Sequence, residues 1–243
     1  MNKKKVLLVV LILLPGFAVA AGGETPIPLD AMIPKLEDQA SLQRGAKTYL
    51  NYCIGCHSLK YQRYQRTADD LGIPADLMME HMVFDSSAQI GSLMDNAMSV
   101  DNAKEWFGAV PPDLTMYTML KGGPEYFYTY MRVFYEDETR PLGVNNLLYE
   151  NVAMPHALFE LQGLQRKVCK EIPLLADNGG EMRDPLTGTR VLGKQCGNDL
   201  VQRGFSPLEL VEGSGSLTPE EYDQVVYDLA NFLYYTADPS RLE

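Results

Sequence analysis

Apolar residues recur at helical spacing in two stretches, one near each end of the chain. In residues 37–54 one face of the predicted helix holds Leu42, Ala46, Tyr49, Leu50 and Cys53. The second stretch opens at residues 218–221 with a capping box, Thr-Pro-Glu-Glu, in which proline takes the first helical position. Its apolar face then holds Tyr222, Val225, Val226, Leu229, Phe232 and Leu233. Because each face needs an apolar partner, we predict that the two helices pack against each other.

The middle of the chain is interrupted by proline and glycine and includes one aromatic stretch. Residues 108–115 contain Pro111 and Pro112 and cannot form a helix, because proline lacks a backbone donor and clashes with the preceding turn. The aromatic residues 124–135 are typical of a helix buried in a core rather than of a binding surface. Since no internal repeat divides the sequence, we predict a single, mainly α domain with long loop insertions.

The first 20 residues have the layout of a secretory signal peptide. Three lysines at residues 3–5 precede an apolar run over residues 6–19, and residues 18–20 form a small-x-small cleavage site. The run is short for a membrane span, although an uncleaved N-terminal anchor is the alternative. We therefore predict removal of residues 1–20 and export of residues 21–243 into an oxidising compartment.

Composition and charge narrow the class of protein. Hydrophobic residues make up 46% and charged residues 22% of the 243 residues, which is ordinary for a globular chain and excludes wholesale disorder or a multi-span membrane protein. The formal net charge of −11 argues against nucleic-acid binding, which requires a basic surface. A basic protein is the more natural partner for so acidic a chain.

Residues 53–57, Cys-Ile-Gly-Cys-His, match the attachment signature of a c-type haem. With this spacing Cys53 and Cys56 add to the two vinyl groups of one haem, and His57 places an imidazole beneath the iron. A thioredoxin-like redox pair has no use for the histidine, and a zinc site needs a second Cys/His pair, which the sequence lacks. The other two cysteines form no second motif, so we predict one covalently bound haem.

Cys169 and Cys196 lie 27 positions apart in a segment rich in glycine and polar residues. In an exported protein, cysteines without another role are typically paired. We therefore predict that Cys169 and Cys196 form a structural disulfide, which would hold a long loop.

His57 supplies one axial position on the iron, and the residue at the other position decides the chemistry. A methionine or histidine there closes the site for electron transfer, whereas an open position binds small molecules. Met154 is the strongest candidate, because Pro155 biases it towards an extended backbone and its loop is far enough along the chain to return to the opposite face of the haem. From the residues alone, His156 and the remaining methionines stay open as alternatives.

The proline-rich residues 108–115 also suggest how His57 is oriented. A ligating histidine usually donates its second N–H to a carbonyl group. We predict that the carbonyl of Pro111 or Pro112 accepts this hydrogen bond, although a plain turn before the next helix would explain the same residues.

Five segments of the chain occur in an order typical of one family: Arg44–His57, Trp106–Thr115, Tyr128–Arg132, Arg140–Asn146 and Val152–His156. Together they resemble the cytochrome c1 family, the haem-bearing subunit of quinol–cytochrome c reductase, in its proteobacterial form. The resemblance implies a class I cytochrome c fold and one haem c linked to Cys53 and Cys56. It also implies His57 and Met154 as axial ligands, and the Cys169–Cys196 pair is similar to a loop disulfide of some bacterial members.

The same resemblance implies an electron-transfer subunit at the periplasmic face of the bacterial cytoplasmic membrane, with no bond-making chemistry of its own. The expected partners are a dihaem cytochrome b, a Rieske iron–sulfur subunit as electron donor and a soluble cytochrome c as acceptor. The acidic run Glu136–Glu138 is a candidate docking site for the acceptor, although a solvated loop is the simpler explanation. A free soluble periplasmic shuttle, and a haem enzyme or gas sensor with a vacant sixth position, are the alternatives.

Two features depart from the family pattern. Members usually carry an arginine that faces a haem propionate in the helix after the Pro-Pro-Asp-Leu motif, whereas this chain offers only Lys121, which lacks the bidentate fork of arginine. The family also continues into a C-terminal transmembrane helix, and this sequence stops at residues 241–243, where that anchor would begin. Either the sequence is truncated there or the anchor is missing, and we favour truncation.

Overall fold

The computed structural model describes residues 27–238. The predicted signal peptide, residues 1–20, and the C-terminal residues 239–243 lie outside the described part of the chain. Within residues 27–238, no helix has both the length and the apolar character needed to cross a membrane.

Helices form the larger part of the regular structure. The described residues contain nine of them: α1 (Gln39–Tyr52), α2 (Tyr64–Leu71), α3 (Ala75–His81), α4 (Val100–Phe107), α5 (Tyr117–Leu120), α6 (Gly123–Arg132), α7 (Phe159–Gln162), α8 (Asn198–Gln202) and α9 (Pro219–Ala237). The longest, α9, packs against α1, α5, α6 and α7 and so lies at the centre of the core.

Short antiparallel strand pairs connect the helices. The strands are β1 (Leu59–Arg63), β2 (Leu93–Met94), β3 (Phe134–Glu136), β4 (Val144–Asn146), β5 (Gln165–Lys167), β6 (Cys169–Pro173), β7 (Leu192–Cys196) and β8 (Leu208–Leu210). They form four two-stranded sheets, β1 with β2, β3 with β4, β5 with β8 and β6 with β7. The expectation of a mainly α chain is therefore only partly right, because the long loops contain these sheets.

The predicted contact between the two terminal amphipathic helices is present. On α1 the side chains of Leu42, Ala46, Tyr49 and Leu50 are buried, and on α9 those of Tyr222, Val226, Leu229, Phe232 and Leu233 are buried. The capping box also forms, since Thr218 accepts a hydrogen bond from the backbone of Glu221 and the Glu221 carboxylate accepts one from the backbone of Thr218. Amphipathic spacing thus predicts both helices and their pairing.

A buried carboxylate links the same two helices. Asp228 on α9 accepts hydrogen bonds from the Ser41 hydroxyl at 2.6 Å and from Nε of Arg44 at 2.6 Å. Its side chain is 3% exposed, and Nη2 of Arg44 at 3.1 Å and Nε2 of Gln224 at 2.9 Å donate to it as well. This pairing offsets the cost of burying a charge in the helix interface.

The aromatic stretch 124–135 is not one helix, as the sequence predicts, but a helix followed by a strand. Helix α6 ends at Arg132, and β3 begins at Phe134 and pairs with β4. The side chain of Asn146 on β4 donates a hydrogen bond to the carbonyl oxygen of Tyr130, in the last turn of α6. A contact between residues distant in sequence ends the helix, which periodicity within the stretch cannot reveal.

Candidate haem site

The end of α1 places the Cys-x-x-Cys-His motif at the core. The backbone turns directly after the helix, where the N–H groups of Cys56 and His57 donate to the carbonyl of Cys53 at 3.0 and 2.8 Å. The hydroxyl of buried Tyr49 donates to the carbonyl of His57 at 2.7 Å. Helix α1 and the turn after it therefore fix the backbone of His57 and, with it, the direction in which its side chain leaves the backbone.

The His57 ring is oriented by the proline-rich loop. Its Nδ1 lies 2.8 Å from the carbonyl oxygen of Pro112, one of the two carbonyl groups predicted for this role. Burial lowers the pKa of His57, whereas the Pro112 carbonyl and the Asp113 carboxylate act in the opposite direction. In a neutral ring that donates from Nδ1, Nε2 holds the lone pair that a metal requires.

The loop is fixed to the motif by several further hydrogen bonds. The backbone N–H of Leu114 donates to the carbonyl of Ser58 at 2.9 Å. The carboxylate of Asp113 accepts from the backbone of Lys60 at 2.8 Å and of Thr115 at 3.0 Å. The Pro112 carbonyl is thus held in place by the loop rather than by the histidine alone.

The two cysteines of the motif have unpaired thiols. Burial and the neighbouring Cys56 raise the pKa of Cys53 to about 12, and burial raises the pKa of Cys56 as well. Neither thiol is paired with another cysteine, so both are available for thioether formation at the spacing of the attachment motif.

Met154 lies in the loop between β4 and α7 and packs, partly buried, against the core. Its Sδ is 3.6 Å from the hydroxyl of Tyr130 on α6. Two residues later, the ring of His156 stacks on Phe134 of β3 with centroids 4.8 Å apart and planes 2° apart. The Met154 loop is therefore contacted by α6 through Tyr130, at the methionine itself, and by β3 through Phe134, at His156.

Buried polar atoms without a partner test whether this region fits a bound group. In the described part of the chain they are Arg140 Nε, His156 Nδ1, His156 Nε2 and Gln162 Oε1. All four belong to residues 140–162, which lie on either side of Met154 in the sequence. Burial lowers the pKa of His156 to about 4, so its ring is neutral. Because the Gln162 side chain also interacts with His156, these atoms do not mark a cavity by themselves. The fit to haem rests on the free thiols at attachment spacing and on His57, whose ring is oriented by the Pro112 carbonyl.

Comparison with known proteins decides the family. The model of the Cytochrome C1 family matches residues 31–165. Cytochrome c1 of Allochromatium vinosum is 42% identical over 241 residues, which cover 99% of this chain and 87% of that protein. The chain belongs to the cytochrome c1 family.

Two further relatives extend the comparison. The protein named ammonia monooxygenase gamma subunit of Nitrosomonas europaea is 34% identical over 98% of this chain and 85% of its own length. Cytochrome c1 of Rhodobacter capsulatus is 23% identical over 83% of this chain and 72% of its own length. As a member of the cytochrome c1 family, the chain carries covalent haem c and is an electron-transfer subunit of the membrane-bound quinol–cytochrome c reductase rather than a free shuttle.

The structure places the remaining predicted residues on elements other than α1 and the turn that follows it. Lys121 is exposed directly after α5. Cys169 and Cys196 form a disulfide at one end of the β6–β7 pair, where the two residues are register partners. The bond joins neighbouring strands of one hairpin, which is separate from the Cys53–His57 turn.

Sequence reasoning missed the residues that surround Met154. Tyr130 contacts the methionine sulfur, Phe134 stacks on His156, and Arg140 binds the backbone ahead of Met154. The signal for the first two was present, since both belong to the aromatic stretch interpreted as core filling. Their role depends on the position of a loop more than 15 residues away, which the sequence pattern does not specify.

Proposed function

We propose that this chain holds one haem c between His57 and Met154 in a class I cytochrome c fold. In this role it receives single electrons from a Rieske iron–sulfur subunit and passes them to a soluble cytochrome c. The bound group supplies a one-electron iron couple, and the protein supplies its attachment, orientation and environment. The observation that carries the proposal is the 2.8 Å contact between His57 Nδ1 and the Pro112 carbonyl, directly after two unpaired thiols at attachment spacing.

On the His57 side the chain fixes the cofactor covalently and sterically. Cys53 and Cys56 form the thioethers, and the hydrogen bond from Nδ1 selects the tautomer in which Nε2 can ligate iron. The bond from Tyr49 to the His57 carbonyl, in a buried setting, limits movement of this ligand. A fixed ligand geometry keeps reorganisation small during electron transfer.

On the other side Met154 closes the sixth position with a thioether, which raises the reduction potential. The Tyr130 hydroxyl lies at hydrogen-bonding distance from the sulfur, and Tyr130 as a whole is only 9% exposed. A closed position excludes small molecules and leaves electron transfer as the reaction this site performs. Lys121 stays our prediction for a propionate contact.

The cellular setting follows from the same assignment. Residues 1–20 direct export and are removed, so the haem domain faces the periplasm at the cytoplasmic membrane, beside a cytochrome b subunit. Part of the charge of the acidic run is already paired, because Glu136 pairs with Arg166 at 2.6 Å and Asp137 accepts from Asn145 at 2.9 Å. Removal of residues 1–20 takes away three lysines and no acidic residue, so the exported protein has a formal charge of −14, which attracts a basic acceptor.

The sixth ligand is the point at which the proposal is most directly tested. We expect the oxidised holoprotein to show the weak sulfur-to-iron charge-transfer band, and Met154→Leu to abolish it. Met78→Leu makes the same change at a fully buried methionine of α3 and should leave the band intact. A parent protein without the band would refute methionine ligation and return attention to His156.

The name of the Nitrosomonas relative raises oxygen activation as a competing function. The parent and Met154→Leu proteins described above also distinguish this function from electron transfer. An oxygen-activating haem needs a vacant sixth position, whereas the proposed site is closed. We expect the reduced parent not to bind carbon monoxide at neutral pH and the Met154→Leu protein to bind it. Carbon monoxide binding by the parent would favour a haem enzyme or gas sensor over an electron carrier.

A further inference from the structure

The loop that leads to Met154 contains a residue in an unusual backbone conformation. Asn151, three positions before the methionine, has a φ angle of +62°, in the left-handed region. Asparagine tolerates this region better than most residues, but the conformation still needs support from its surroundings. Asn151 is exposed, so burial does not provide that support.

The guanidinium of Arg140 provides support from one side. Its Nη1 donates to Oδ1 of Asn151 at 3.1 Å, and its Nη2 donates to the Asn151 carbonyl at 2.9 Å. The same Nη2 lies 3.5 Å from the carbonyl of buried Val152. Arginine presents these donors in a rigid planar fork, so the three contacts of Arg140 define the position of the Asn151 backbone in addition to placing a positive charge beside it.

Asn145 provides support from the other side. Its Oδ1 accepts a hydrogen bond from the backbone N–H of Asn151 at 2.9 Å, and its Nδ2 donates to Asp137 at 2.9 Å. Asn145 is 4% exposed and belongs to β4. Both backbone polar groups of Asn151 are therefore bonded to the β3–β4 hairpin.

The hairpin that carries these side chains is itself well braced. The loop between β3 and β4 closes through a 2.9 Å bond from the Asp137 N–H to the Gly143 carbonyl and a 3.0 Å bond from the Gly143 N–H to the Arg140 carbonyl. Beyond the methionine, the Phe134–His156 stack attaches the chain to the same hairpin. The segment containing Met154 is thus fixed to one element on both sides.

We propose that Arg140 and Asn145 are positioning residues that hold Asn151 and Val152 so that Met154 remains at the sixth position. This inference rests on the proposed ligation by Met154. The methionine is attached to the iron only through its loop, and a loop that moves away opens the position to other ligands. The hairpin contacts favour the closed loop without touching the haem ligand itself.

The expected effect is a change in how often the sixth position is open. Hydrogen bonds from a charged group are among the stronger ones in proteins, although those of Arg140 are partly exposed to water. We expect Arg140→Gln to raise the ratio of open to closed protein about tenfold, which corresponds to about 1.4 kcal/mol. A ligand that binds only the open protein then binds about tenfold more tightly.

Exogenous imidazole, titrated into the oxidised holoprotein, measures this ratio. Arg140→Gln and Asn151→Ala should each lower the apparent Kd of imidazole about tenfold. Asn151→Asp keeps both the side-chain oxygen and the tolerance for positive φ, and should restore the parental Kd. Arg183→Gln is the matched control, because it removes one exposed arginine outside the hairpin, whose Nη1 donates to the Gly188 carbonyl at 3.0 Å between β6 and β7.

The outcomes separate this inference from the proposed function. If the parent shows the sulfur-to-iron band but Arg140→Gln and Asn151→Ala bind imidazole as the parent does, the positioning role is wrong and methionine ligation stands. If Arg183→Gln shifts the Kd as much as Arg140→Gln, the effect is a general one of lost charge and the inference also fails. A parent without the band refutes the proposed ligation itself.

Discussion

Replacing Gly45 by alanine would place a side chain where α1 and α9 approach most closely. A β-carbon at this position would overlap the carbonyl oxygen of Asp228 and lie 2.6 Å from Cβ of Phe232. Neither atom can rotate away, because the Asp228 oxygen belongs to the backbone and Cβ of Phe232 is bonded directly to the backbone. The helices would have to move apart at the contact that also supports the Cys53–His57 turn.

The size of the effect follows from two opposing terms. Overpacking a tight core costs about 1–3 kcal/mol, and an overlap with two immobile atoms belongs near the upper limit. Alanine in a helix interior is favoured over glycine by about 1 kcal/mol. We therefore expect Gly45→Ala to lower the free energy of unfolding by about 2 kcal/mol, or the Tm by about 4–8 °C for a chain of this length.

Denaturant titration of the holoprotein, followed by helical circular dichroism, measures this difference. Lys47→Ala is the matched control, since it introduces alanine at an exposed position of the same helix and should change stability by less than about 0.5 kcal/mol. A Gly45→Ala protein as stable as the parent, or more stable, would show that the helices tolerate a wider separation and that this glycine is not required for their contact.

Two further predictions concern electron transfer. Tyr130→Phe should lower the midpoint potential in a redox titration, because a hydrogen bond to the Met154 sulfur reduces electron donation to oxidised iron; an unchanged potential would mean that the hydroxyl does not bond to the ligated sulfur. The rate of electron transfer to a basic cytochrome c should fall as ionic strength rises, because salt screens attraction to the exported chain, whose formal charge without residues 1–20 is −14. A rate independent of salt would contradict electrostatic steering.

The parts of the fold that the sequence predicts are those encoded by nearby residues. The capping box at Thr218 and the apolar faces of α1 and α9 depend on spacing within one helix, and both are found as predicted. For His57 the sequence predicts one of two hydrogen-bond acceptors, the carbonyl groups of Pro111 and Pro112. The double proline rules out a helix there, so these carbonyls are not used in helical hydrogen bonds. The structure places the Pro112 carbonyl at this nitrogen.

The parts that the sequence does not predict depend on contacts between distant residues. The bond from Asn146 to the Tyr130 carbonyl separates α6 from β3, and the bonds from Arg140 to Asn151 shape the loop before Met154. Strands such as β3 and β4 are three residues long, too short for an alternating pattern to appear. The buried Asp228 likewise occupies a helix face that a hydrophobic pattern alone treats as exposed.

The two sides of the site are held by different kinds of structure, and this difference has a consequence for function. His57 follows α1, whose contact with α9 lies within the main core, so displacing this proposed ligand requires disruption of that core. Met154 depends instead on a two-stranded hairpin and a few side-chain hydrogen bonds, some of them exposed. On the ligation proposed above, opening the sixth position is therefore the less costly change. Substitutions in the hairpin should alter ligand access to iron while the helices remain folded, whereas substitutions between α1 and α9 should alter both together.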